Sequence, residues 1–460
     1  MYEPSTRLAS PVARIAALLA LPLLNLLFPS GAHAVPSFGR QTGEKCIQCH
    51  TVFPMLNADG RKFKLGGYSM RMAKPADAPF FDKVPLAAFL QVSRTATNNT
   101  GTAGATDADF PRDRDTLVQA AGLYYGGRIT DRSGALIQYS YDGVERKWAM
   151  EMADVRYADS AKLGGKELLY GITLNNTPTL SDIYNSTPVW SFPHTAPISV
   201  MPNASTQIDM GLASQVGGVG AYGLWNDLLY AEFALYRTAN RGLLRPLAAN
   251  VTVQNVVNGT APYWRLALQR EAGPHSFSAG TYGLLAKIDA DPTQPGIGAD
   301  RFRDVALDAQ YQYIAGDHTF STSATWIREK QEWDASLKQG LVSNPSSVLK
   351  SFRADVHYLY RGTYAGILQV FDTRGDADAL RYNSGAPVMG SINGRPDSRG
   401  WIAELNYLAD VDWMPGVQHA KVALRYTAYT RFNGARDNYD GFGRNARDNN
   451  SVFMLVWFLF

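Results

Sequence analysis

From residue 84 to the last residue, side chains alternate between apolar and polar in run after run, and this period of two constrains the fold more than any other feature. Phe352, Ala354, Val356, Tyr358 and Tyr360 alternate with Arg353, Asp355, His357, Leu359 and Arg361. Ala420, Val422, Leu424, Tyr426 and Ala428 alternate with His419, Lys421, Ala423, Arg425 and Thr427. The pattern returns in Val305, Leu307, Ala309, Tyr311 and Tyr313, and in Trp401, Ala403, Leu405 and Tyr407. Successive side chains of an extended strand point to opposite faces, so each run describes a strand with one apolar and one mostly polar face. About sixteen strands are predicted, near 84–96, 115–130, 134–143, 148–158, 166–178, 206–223, 228–239, 261–272, 275–288, 303–315, 318–334, 349–361, 363–374, 398–411, 417–432 and 449–460. The 24 Tyr and 41 Gly suit such a chain better than a helical one.

The connections decide which all-β fold this is. Short turns such as Asp131-Arg132-Ser133-Gly134, Gly316-Asp317-His318 and Met414-Pro415-Gly416 alternate with mostly long loops. Outer-membrane barrels have tight periplasmic turns and long extracellular loops, and an even strand count returns both chain ends to the periplasmic side. The expectation for residues 84–460 is therefore an antiparallel, porin-like transmembrane β-barrel in outer-membrane lipid. Its lumen is expected to receive Arg353, Asp355, His357, Lys421 and Arg425. The terminal Trp457-Phe458-Leu459-Phe460 resembles the assembly signal of such barrels. Composition agrees, since 45% apolar and 18% charged residues exclude a disordered chain and a polytopic helical one. A formal charge of +3 gives no reason to expect nucleic acid as a partner.

The single long apolar run lies at the start. Arg7 and Arg14 precede Ile15 to Phe28, and Ala32-His33-Ala34 has the small-x-small form of a signal peptidase site, so residues 1–34 read as a signal peptide. Pro22, Asn25 and Pro29 argue against an uncleaved anchor.

Both cysteines of the chain fall in Cys46-Ile47-Gln48-Cys49-His50, directly after this export signal. That spacing lets each thiol add to a haem vinyl group while the adjacent imidazole binds the iron, so one covalent haem c is expected, held by Cys46 and Cys49 with His50 as proximal ligand. A thioredoxin-like dithiol would need its own folded domain, and zinc a second ligand pair nearby. Met70 and Met72 are candidates for the opposite iron face; Met55 follows His50 too closely, and a His from elsewhere stays open. The cytochrome module, residues 35–83, is too small for an independent core and needs haem and the barrel to complete it. Phe38, Phe53, Leu56, Phe63, Leu65 and Tyr68 are its expected haem-facing set.

The stretch Pro36-Ser37-Phe38, Arg40-Gln41-Thr42-Gly43, Cys46 to Thr51, Phe53-Pro54, Leu56, Gly60-Arg61, Phe63-Lys64 and Gly67-Tyr68 resembles the fused monohaem cytochrome-porins of iron-oxidising bacteria. The barrel is similar to theirs in architecture, length and strand number. The resemblance implies an outer-membrane iron(II) oxidase whose haem module sits in or beneath the lumen, takes electrons from extracellular Fe(II) and passes them to a periplasmic c-type cytochrome. It also accounts for the cell surface as the place of reaction, because ferric iron precipitates near neutral pH. The competing functions are a haem-plugged porin that conducts a solute and an electron exporter to external acceptors. Loops 97–114, 179–205 and 375–397 carry Asp107, Asp109, Asp182, Asp376 and Asp378, which are candidates for transient attraction of Fe(II).

Overall fold

The computed structural model describes residues 35–71, 84–97, 113–186, 200–202, 204–239, 242–294, 296–382, 385, 387–411 and 417–460. The signal peptide, Met72, Asp107, Asp109 and the turn Met414-Pro415-Gly416 lie outside the described residues.

Sixteen antiparallel strands close into one barrel, each paired with its sequence neighbours and the last with the first. They are Leu86–Thr97 (β1), Thr116–Thr130 (β2), Ser133–Asp142 (β3), Lys147–Leu163 (β4), Lys166–Asn175 (β5), Val216–Trp225 (β6), Leu229–Thr238 (β7), Ala261–Ala272 (β8), His275–Asp289 (β9), Ala299–Ala315 (β10), His318–Glu332 (β11), Ser346–Tyr360 (β12), Tyr364–Gly375 (β13), Ser398–Asp410 (β14), His419–Arg431 (β15) and Ser451–Leu459 (β16). Closure is made by β1 against β16 and extended by Phe460, whose N–H donates to the Ala88 carbonyl at 2.9 Å while the Ala88 N–H donates to the Phe460 carbonyl at 3.2 Å.

The wall is inverted relative to a water-soluble barrel. Val305, Leu307, Phe352, Val356, Leu368, Trp401, Leu405 and Leu424 are exposed on the outside, whereas Asp304, Asp308, His357, Glu404, Lys421 and Arg425 are buried inside. An apolar exterior over a polar interior is the arrangement that hydrocarbon solvent selects, and closure leaves no strand edge unpaired in it. Among the described residues no helix is long and apolar enough to cross a membrane, which says nothing about crossing by strands.

The lumen is packed from both ends. Residues 35–71 form a plug at the short-turn end, with helices Pro36–Thr42 (α1), Cys46–Cys49 (α2) and Ala58–Leu65 (α3). At the rim Lys62 pairs with Asp227 in the β6–β7 turn and with Glu271 at the end of β8, and Ile47 lies against Gly362 between β12 and β13. From the loop end, the β5–β6 connection dips inward, so that Pro178–Ser181 (α4) and Asp182 to Ser186 are largely buried in the lumen.

Two sequence expectations change here. The sixth strand begins at Val216 rather than near 206, because the Gln207 and Ile208 N–H groups turn to the Glu329 and Asp304 carboxylates of the lumen wall, at 2.5 and 2.6 Å. Asp182 is not a solvated loop carboxylate: it is 1% exposed and faces Arg265 at 3.5 Å inside the barrel.

Candidate functional site

Local sequence explains how the plug places the Cys46–His50 motif. Gly43 stops α1 with a φ of 73°, the left-handed region that glycine enters without strain, and its N–H returns to the Gly39 carbonyl at 2.8 Å. One helical turn then carries both cysteines, and the His50 N–H closes it on the Cys46 carbonyl at 2.8 Å. Asn57 joins this turn to α3. Its side chain caps α3 by accepting from the Gly60 N–H at 3.0 Å and donates to the Gln48 carbonyl at 2.9 Å, while its own N–H donates to the Cys49 carbonyl at 2.9 Å. The two helices approach so closely that a Cβ on Gly60 would lie 2.1 Å from the Cys49 carbonyl oxygen.

His50 faces an apolar cleft that encloses about 950 Å³ of atom-free space, part of it open to solvent. The plug contributes Phe38, Cys49, His50, Phe53, Leu56, Phe63 and Tyr68; the barrel contributes Tyr124, Leu136 and Met152, and the inward loop Leu180. Its aromatic frame has two parts. Phe38 stacks on Tyr68 at 5.4 Å and meets Phe63 edge-on at 5.0 Å, and Phe53 bridges His50 at 5.2 Å to Trp457 of β16 at 5.2 Å.

The His50 imidazole is oriented through its back edge: Nδ1 lies 3.1 Å from the Pro54 carbonyl oxygen, a contact that fixes Nδ1 as the donor. A ligating histidine is held this way, its outer nitrogen on a carbonyl and Nε2 left for the metal. Burial lowers the His50 pKa to about 4, so the ring is neutral near pH 7, the form that binds iron. Burial, with Asp59 and Glu44 adding to it, pushes the Cys49 thiol up to about 11, and both cysteines are free thiols. The Cys49 thiol and a neutral imidazole with its tautomer fixed, on an aromatic cleft with the buried Cys46 one helical turn away, fit the chemistry of a c-type haem.

Buried polar contacts lock plug to wall. Tyr68 donates to Asp154 at 2.7 Å, and the same carboxylate receives Arg156 Nε and the Thr173 hydroxyl, each at 2.8 Å. Arg61, 1% exposed, donates to Ser276 at 3.0 Å and Gln310 at 3.3 Å across the lumen. The Lys64 ammonium donates to the Leu180 carbonyl, and burial lowers its pKa to about 8. Gln41 accepts from the Arg128 N–H of β2 at 2.7 Å while its amide donates to the Tyr68 and Met70 carbonyls.

Several expected residues fall elsewhere. Leu65 turns away from the cleft and packs with Ile183, Tyr184 and Tyr222. Met70 is 52% exposed and does not line the cleft, because the chain leaves α3 through Gly66 and Gly67 toward the rim before reaching it. The Asp378 carboxylate is taken up by the backbone N–H groups of Ser343, Asn344, Leu380 and Arg381, so it organises its loop rather than facing solvent. Arg353, Asp355, His357, Lys421 and Arg425 do face inward, paired as Arg353–Asp209, His357–Asp355 and Arg425–Glu404–Lys421. Sequence reading passed over Asn57, Tyr124, Met152 and Leu180.

Above the cleft, on the loop side, a recess is lined by Gln91, Gln138, Asp142, Glu145, Glu151 and Lys147, the last paired with Glu145, so that carboxylates outnumber the cation three to one. Glu151 of the recess adjoins Met152 of the cleft along β4.

No protein-family model matches the chain, and no curated protein matches it. Among solved structures it is similar to a loop L8 deletion mutant of OmpT, an outer membrane protein of Vibrio cholerae, at 10% identity over 82% of this chain and 98% of that one, with a TM-score of 0.41. It is similar to Salmonella typhi OmpF in complex with daunomycin at 14% identity over 82% and 97%, with a TM-score of 0.44. An anion-selective porin from Comamonas acidovorans aligns at 13% identity over 81% and 98%, with a TM-score of 0.41. Scores this low add nothing to the topology already described.

Proposed function

We propose that the chain is an outer-membrane electron conduit that oxidises extracellular Fe(II). The observation that carries this reading is the His50 imidazole, its Nδ1 on the Pro54 carbonyl, facing an aromatic cleft inside a membrane-type barrel. A c-type haem bound at Cys46, Cys49 and His50 supplies a one-electron couple between a ferrous donor outside and a periplasmic c-type cytochrome. The residues of the chain do the rest. Asn57 and Pro54 hold the motif in register, Phe38, Phe53 and Phe63 supply the aromatic lining of the cleft, and Arg61, Lys64 and Tyr68 tie the plug to the lumen. The carboxylates of the loop-side recess favour the approach of a cation over that of an anion.

The porin-like barrel also suits a haem-plugged porin that conducts a solute. Packing of both 35–71 and 178–186 into the lumen favours electron transfer, which needs contact rather than an open channel.

The test is to express the chain in outer membranes with haem maturation, purify it in detergent and add Fe(II). Covalent pigment and prompt reduction of the haem spectrum are expected. A pigment reduced by dithionite but not by Fe(II) contradicts the donor, and protein without covalent pigment contradicts the whole reading. In Cys49→Ala the two-point attachment is expected to be lost and turnover with it.

A further inference from the structure

A haem held by His50 would leave a further iron ligand to be supplied, and few side chains of the cleft could supply it. Among the described residues lining it, Tyr68 is committed to Asp154 and Lys64 to the Leu180 carbonyl. Lys45 is exposed. Tyr124 would have to ionise in an aromatic wall beside Phe89, at a large desolvation cost. Met152 is left: a neutral thioether, 4% exposed, which binds iron with no proton to lose and no charge to desolvate.

An independent feature of β4 aims this side chain inward. Gln138 of β3 pairs with Met152 but the next residue, Tyr139, pairs with Met150, so Glu151 is an extra residue, a β-bulge. Along β4 the bulge reverses which parity faces the lumen: Met152, Asp154, Arg156 and Ala158 are buried, while Trp148 beyond it faces outward at 41% exposure. Bulges re-aim side chains and cluster beside active sites. This one is clamped. The Ser214 hydroxyl donates to the Glu151 carbonyl at 2.6 Å, and Asn176 holds Ala153 on the far side of Met152, its side-chain oxygen accepting from the Ala153 N–H at 2.9 Å and its N–H donating to the Ala153 carbonyl at 3.1 Å.

We propose that Met152, on the barrel wall, is the second axial ligand opposite His50 on the plug, so that neither part alone completes the iron site. This rests on the haem reading above. Joining the two ligands across the plug–wall seam makes iron ligation a lock on the plug, and sulfur ligation sets the reduction potential higher than a second imidazole would.

The test uses full-length protein purified from outer membranes, with covalent haem first established by the alkaline pyridine spectrum. The wild type is expected to show the long-wavelength sulfur-to-iron charge-transfer band in the ferric state and to resist carbon monoxide in the ferrous state. In Met152→Leu the band is lost, carbon monoxide binds and the potential falls. In Met152→His a two-imidazole spectrum replaces the band, at a potential below the wild type's, which a defect of folding alone would not produce. Met70→Leu leaves all of these unchanged. A wild type with covalent haem but no sulfur band, or a Met152→Leu protein that keeps it, overturns the ligand assignment and spares the haem reading; a wild type without the pyridine spectrum overturns both.

Discussion

At the scale of single residues, the plug depends on a few close approaches and buried pairs whose removal has calculable results. In Gly60→Ala the new methyl lies 2.1 Å from the Cys49 carbonyl oxygen, which is backbone and does not swing aside. We expect covalent haem per barrel to fall several-fold, read as pigment absorbance against protein, with the barrel's heat-shifted gel mobility retained. Asp154→Ala strands the Arg156 guanidinium, whose side chain is 0% exposed; loss of one partner of a buried pair costs about 3–5 kcal/mol. That loss is expected as a lower denaturant midpoint in lipid vesicles, and the double change Asp154→Leu with Arg156→Met recovers only part of it, because the Tyr68 and Thr173 hydroxyls lose their acceptor as well. Of the proposed haem site, Cys46, Cys49 and His50 were open to a reading from sequence because covalent haem attachment would need them within five consecutive positions. Met152 was not, since only the spatial approach of β4 to the plug brings it there. The one trace it left is the break in alternation between Trp148 and Tyr157, both exposed although one is even and one odd.

At the scale of elements, strand after strand followed from period-two patterning, because the lipid face tolerates almost nothing polar and so writes itself plainly into the sequence. Leu405, 67% exposed near the middle of β14, marks that face. Leu405→Arg is expected to lower folding stability in lipid bilayers by about 2–4 kcal/mol, the range for a cation at mid-membrane. A cost near zero would place this surface in water. The sixth strand was misjudged because Ile208, Met210 and Leu212 alternate as a strand does. The Gln207 and Ile208 N–H groups go instead to carboxylates on β11 and β10 rather than to a neighbouring strand, and no local pattern announces that.

At the scale of the whole molecule, the barrel and the plug are two halves of one site. The barrel's closure and its loop asymmetry were readable from chain order alone. The depth of the plug was not, for it is set by contacts such as Arg61 with Ser276 and Leu56 with Gln312, each more than two hundred positions apart. With both ends of the lumen packed, the intact chain is expected to pass little current in a planar bilayer, and a chain lacking residues 35–71 to pass several-fold more. Large conductance in the intact chain would favour the solute-conducting reading. The most direct measurement of the central claim places the haem-loaded protein in sealed vesicles, with Fe(II) outside and an oxidised c-type cytochrome trapped inside. Reduction of the trapped cytochrome, abolished by Cys49→Ala, is the result expected; a cytochrome that stays oxidised while the barrel is inserted and fully pigmented would contradict it.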